Sequence, residues 1–119
     1  MRYFLIAAAV LHAGFMAAEL FPWRFPLLLR MASKKLSPGA GFTDEQQSLV
    51  ATIVHNAAIY NGIVAGGLLW AALPGIQGHD VARVMLLGAA AAGIFGTITL
   101  RSPVPAVQAA FGIAGLYLV

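Results

Sequence analysis

The stretch Tyr3–Phe21, YFLIAAAVLHAGFMAAELF, decides the fold. Apart from one histidine and one glutamate its side chains are apolar or small, and in lipid such a segment satisfies its backbone only by forming a helix. At 1.5 Å per residue it is about 28 Å long, enough to cross a hydrocarbon core of about 30 Å. Its end is marked as well. Pro22 has no backbone donor, and a residue before proline avoids the helical region. Arg2, the apolar run and the small residues before Glu19 also resemble a secretory signal, and the segment is read as the first span.

The rest of the chain repeats this character. Of 119 residues 61% are hydrophobic and 9% charged, the pattern of an integral membrane protein with room for about four spans. The sequence predicts an all-α, four-helix transmembrane bundle forming a single domain over 1–119, with spans at 3–21, 46–73, 81–100 and 103–119. Thr43, Asp44, Glu45 and Gln46 read as a capping box opening the second helix. The PGIQGHD stretch breaks it, Asp80 is placed to cap the third helix, and Pro103 and Pro105 suit the first turn of the fourth.

Between the first two helices, Trp23, Phe25 and Leu27 to Leu29 alternate with Arg24, Arg30, Lys34 and Lys35. This basic amphipathic segment is expected to lie in the membrane interface. The first and third loops hold five basic residues, counting Arg101, against Arg2 and Arg83 on the other side. The positive-inside rule then puts both loops in the cytoplasm and both termini outside.

Several classes of function fall away. The net charge of +3 sits in loops facing lipid headgroups, so nucleic acid is not an expected partner. There is no cysteine, hence no thiolate nucleophile and no sulfur metal site. HExxH, a phosphate loop and a nucleophile elbow are absent, and neither a metal nor another cofactor is expected.

The polar residues inside the spans are the informative ones. His12 and Glu19 are seven apart, so they share a face of the first helix with about 20° between them, Phe15 and Met16 filling the turn. In the second helix Asn56 and Tyr60 face one way, and Asn61 points about 100° from Tyr60, toward another neighbour. Counting from the helix ends puts His12 and Asn56 at one depth. Thr97 and Gln108 reach the level of Glu19, and the groups are expected to converge in a polar column. Gly62, Gly66, Gly88, Gly93 and Gly96 would allow the close helix approach this needs.

HAGFMAAELFPW, NAAIYNGIVAGGLLW, GIFGTIT and VQAAFG together resemble the bacterial membrane family known as domain of unknown function 1304. The resemblance covers essentially the whole chain. His12, Glu19, Asn56, Tyr60, Asn61 and Gly62 are its most specific part, although members typically carry glutamine and glycine where this chain has Ala57 and Ala58. It implies a four-helix protein of the bacterial cytoplasmic membrane.

The expected function is a membrane-embedded site for a small hydrophobic molecule. A carboxyl removed from water suits acid–base work such as isomerisation, cyclisation or epoxide opening. Glu19 and His12 are the catalytic candidates, and Asn56, Tyr60, Asn61, Thr97, Gln108, Phe15, Met16 and Trp23 would line the substrate. One alternative is a proton-coupled transporter, dimeric because four helices are few for a pathway, which resembles the small multidrug resistance carriers in architecture and lone carboxylate. The other is a structural or accessory membrane protein.

Overall fold

The computed structural model describes residues 1–20, 34, 39, 41–100 and 103–119. Among these the chain is all-α, with helices α1 (Arg2–Leu20), α2 (Asp44–Ala71), α3 (His79–Leu100) and α4 (Val104–Leu118). The first three are long and apolar enough to cross a membrane. With 15 residues, α4 reaches only about 22 Å and is shorter than a perpendicular span requires. The interfacial segment expected at 23–35 lies outside the described residues, save for Lys34.

The chain divides into two compact units, Met1–Ala13 with Asn61–Val119, and Gly14–Tyr60. The first holds the start of α1, the C-terminal part of α2, and all of α3 and α4. Its core residues recur at helical spacing: Leu5, Ala8, Ala9 and His12 on α1, then Asn61, Val64, Ala65, Leu68 and Ala71 on α2, with Ala72 just beyond its end. Ala82, Leu86, Ala89, Ala90 and Gly93 continue the stripe on α3, and Gln108, Ala109, Gly112 and Gly115 on α4. Alanine and glycine dominate these inward faces. Large apolar residues such as Leu87, Phe95, Ile98 and Leu118 point outward instead. Lipid takes up apolar surface as well as a protein core does, so such helices associate by close packing of small residues.

The closest approach joins α3 and α4. A Cβ on Gly93 would run into the backbone of Ala109 and come within 2.7 Å of the Pro105 carbonyl oxygen, and one on Gly112 would lie 2.5 Å from the Ala90 nitrogen. Phe4 and Phe111 stack with centroids 5.8 Å apart, fastening α1 to α4. Arg83 donates to the Val119 carbonyl at 2.9 Å and ties the end of α4 to the start of α3.

The turn from α2 to α3 depends on two glycines. Gly75 has φ +79°, a conformation that other residues rarely adopt, and a Cβ on Gly78 would lie 2.5 Å from the Ala71 Cα. The first helical turn of α3 precedes the expected boundary, because the Gly78 carbonyl already accepts from the Ala82 N–H at 2.9 Å. Asp80 therefore sits inside that turn and is not its cap; it lies 3.8 Å from Arg83 in an exposed ion pair.

The second unit contains the last turns of α1 and the first half of α2. The capping box is formed: the Thr43 N–H donates to Gln46 Oε1 at 3.0 Å, and the Gln46 N–H to Thr43 Oγ1 at 3.2 Å. Asp44 and Glu45 follow in the first turn, where the helix dipole favours negative charge. At 28 residues α2 is about 42 Å long, so it exceeds the hydrocarbon thickness if it stands upright.

Candidate functional site

At the heart of the first unit a hydrogen bond joins two buried polar side chains. His12 Nδ1 lies 2.8 Å from Asn61 Oδ1, joining α1 to α2. Both side chains are buried, His12 1% exposed and Asn61 5%. His12 ranks with Leu5, Leu68 and Leu86 among the largest fully buried side chains. An imidazole and a carboxamide thus occupy core positions where packing alone would accept leucine.

Helical phase explains the pairing. Leu5, Ala8 and Ala9 precede His12 by seven, four and three residues, so the imidazole continues the buried stripe of α1. Asn61 has Ala58 three residues before it and Ala65 and Leu68 four and seven after, all buried. Asn56 is five residues back, about 140° around the helix from Asn61, and is exposed. Tyr60 is 37% exposed. The sequence placed Asn56 at the depth of His12 and assigned Asn61 to a different neighbour; the structure brings Asn61 to His12. The signal that identifies it is the run of small and apolar residues at three- and four-residue steps from Asn61, which marks the inward face independently of any depth count.

Thr97 and Gln108 also belong to this unit. Gln108 is on the buried stripe of α4, whereas Thr97 is half-buried and turns its hydroxyl back to donate to the Gly93 carbonyl at 2.7 Å. That bond uses the hydroxyl within its own helix, a common way of satisfying threonine in lipid. Thr97 borders a shallow groove of about 350 Å³ between α3 and α4, with Ile94, Ile98, Ala106, Ala109, Ala110 and Ile113. The groove is almost wholly apolar, and its surroundings suit hydrocarbon.

The remaining candidates lie in the second unit or beyond the described residues. Glu19, Phe15 and Met16 are half-buried on the last turns of α1. His55, beside Asn56, is exposed as well. Trp23 lies outside the described residues. Among the described residues no buried side-chain nitrogen or oxygen lacks a hydrogen-bond partner, and no group of three metal-binding side chains comes together.

The arrangement therefore provides a buried imidazole held by an amide oxygen, in a setting of leucine and alanine. Such a ring can accept or transfer a proton and can anchor a polar group in an apolar space. Comparison with characterised proteins and with solved structures found no match. A family profile, in contrast, matches residues 6–119, nearly the whole chain and both His12 and Asn61 with it. The chain belongs to the family described as protein of unknown function DUF1304.

Proposed function

We propose that this protein binds a small lipophilic molecule bearing a polar group, with His12 and Asn61 as the polar anchor. The observation that carries this reading is their 2.8 Å bond in a core built mainly of leucine, alanine, valine and glycine. Polar groups in an apolar interior are costly, and intramembrane ionisable residues mark functional sites by default. Acid–base chemistry on the bound molecule is part of the proposal, with His12 as one acid–base group and Glu19 as another candidate. Lipid extracts of the purified protein, analysed by mass spectrometry, test the binding. A molecule enriched with wild type and lost from His12→Leu is expected; indistinguishable extracts would reject the anchor.

Glu19 is tested on its own. Glu19→Gln keeps shape and most hydrogen-bonding capacity but removes the titrating proton. Positioned proton transfer is typically worth about 10² to 10⁴ in rate, so conversion of the retained molecule should fall by that order if Glu19 is an acid or base. Unchanged conversion at unchanged stability would remove it from the mechanism.

A second reading, that the pair is only interhelical glue, is favoured by the completeness of its hydrogen bond. Asparagine and histidine do serve this purpose between membrane helices. As for setting, we place the protein in the bacterial cytoplasmic membrane with both termini external, on the five-to-two distribution of basic residues. Self-association as a homodimer belongs to the carrier alternative, for which proton-driven uptake into proteoliposomes is the test.

A further inference from the structure

We propose that Tyr3, Trp70 and Tyr117 form an interfacial belt that anchors the first unit in the headgroup layer of one leaflet and so holds the His12–Asn61 pair at the bilayer midplane. These are the tyrosines and the tryptophan of that unit, and they stand on three different helices, at the start of α1 and the ends of α2 and α4. All three face outward, with Tyr3 85%, Trp70 51% and Tyr117 87% exposed. Side chains of this kind have an apolar body and a polar tip, so they are most stable where hydrocarbon gives way to water.

Interior contacts bring the three to one end of the unit. A Cβ on Gly67 would meet Met85, and one on Gly115 would meet both Leu86 and Phe4, which gathers the end of α2, the start of α3, the end of α4 and the start of α1. The hydrogen bond between His12 and Asn61 then gives an independent measure of level. Tyr3 precedes His12 by nine residues and Trp70 follows Asn61 by nine, so each aromatic residue stands about 14 Å along its helix from the same bonded pair. Nothing in the order of residues 3, 70 and 117 along the chain requires this agreement.

The outer surface changes character at the belt. Toward the pair, the exposed residues Val10, Ile63, Leu87 and Ile113 are apolar. On the other side Arg2, His79, Asp80 and Arg83 are exposed, and Arg83 reaches the Val119 carbonyl, two residues past Tyr117. Leu73 and Ile76, exposed in the turn between α2 and α3, offer apolar contact to the same interfacial layer. The partner this end fits is therefore the headgroup and carbonyl layer of a lipid bilayer. With hydrocarbon about 30 Å thick, a pair about 14 Å from that layer lies close to the midplane. The belt fixes the depth of His12 and Asn61 without touching them.

Trp70 reports its own depth. The full chain with Trp23→Phe, which leaves Trp70 as its one tryptophan, is reconstituted in phosphatidylcholine vesicles whose acyl chains carry bromine near the glycerol end, in the middle or at the tip. Bromine quenches indole fluorescence on contact. Trp70 should lose most fluorescence to bromine at the glycerol end and progressively less along the chain. Any other order, or no quenching at any position, would overturn the proposal. The difference between wild type and Trp70→Phe yields the same profile with Trp23 in place, so the result does not depend on one variant. Phe95 tests the midplane. It is exposed, and a Cβ on the neighbouring Gly96 would lie 2.9 Å from Pro105, twelve residues or about 18 Å along α4 from Tyr117. Phe95→Trp, combined with Trp23→Phe and Trp70→Phe, should be quenched most at the chain tips, and a maximum elsewhere would refute the register. The order of quenching needs no bound molecule, so failure of the binding proposal shows in the lipid extracts and leaves this depth unchanged.

Discussion

The value of the His12–Asn61 bond to the fold is measurable by a double-mutant cycle of His12→Leu and Asn61→Leu. Asn61→Leu removes the acceptor at 2.8 Å while keeping a side chain of similar bulk, and the buried Nδ1–H is left without that partner. Leaving a buried donor unsatisfied costs about 1–3 kcal/mol. His12→Leu removes the ring nitrogen that faces the Asn61 oxygen and should cost a similar amount. In the double variant both ends of this bond are gone, and leucines join Leu5 and Leu68 in an apolar interior. The net contribution of such bonds between membrane helices averages about 0.6 kcal/mol and reaches about 1.7, which bounds what the double variant can lose through the bond itself. The double variant should therefore lie within about 1.7 kcal/mol of wild type, with the two single losses clearly less than additive. The assay is reversible unfolding of the four proteins in mixed micelles by titrated denaturing detergent, followed by helical circular dichroism. Strictly additive losses would refute the reasoning, because they would mean that the two side chains are not coupled. A double variant destabilised well beyond about 1.7 kcal/mol would favour the structural reading. A stable double variant that no longer retains the lipophilic molecule would favour binding.

Three further outcomes follow from the same structure. Gly93→Ala brings a Cβ to 2.7 Å from the Pro105 carbonyl oxygen, where ordinary contact begins near 3.4 Å, so α3 and α4 must part by several tenths of an ångström. Overpacking of this kind should cost about 1–3 kcal/mol, whereas Gly66→Ala, with nothing within 4 Å, should be neutral or gain up to about 1 kcal/mol; the detergent titration compares them. Thr43→Ala removes the Oγ1 arm of the capping box, while the backbone N–H at 43 can still donate to Gln46 Oε1, and should lower the stability read by the detergent titration by about 0.5–2 kcal/mol. A cysteine placed at Ser33 should resist membrane-impermeant labelling in intact cells, and strong labelling would reverse the proposed topology.

The helices themselves were legible because a membrane imposes its requirement locally. Every buried backbone group must find a partner within its own segment, so a long apolar run reads as a helix without knowledge of its neighbours. Thr43 and Gln46 form the box their spacing predicted, since a cap depends on only four consecutive residues. His12 as a polar residue within α1 was visible for the same reason.

What the sequence by itself determined, then, is the all-α class, the presence of long apolar helices, and the presence of polar groups inside them. Only the tertiary structure decided which polar groups meet. Asn56 and Asn61 are the same residue type five positions apart on one helix, and distance along the chain placed Asn56 at the depth of His12. The outcome turned on the rotation of α2 about its axis, and that rotation is set by Ala58, Ala65 and Leu68 packing inward as a group. Thr97 likewise was expected in the polar wall, but its hydroxyl bonds the Gly93 carbonyl one turn back along α3. Helical phase is a local property, but the face that becomes the inside is chosen by the sum of many small contacts between helices, as where Gly93 meets Ala109 and Gly112 meets Ala90. No single residue carries that sum, and it exists only once the helices are assembled.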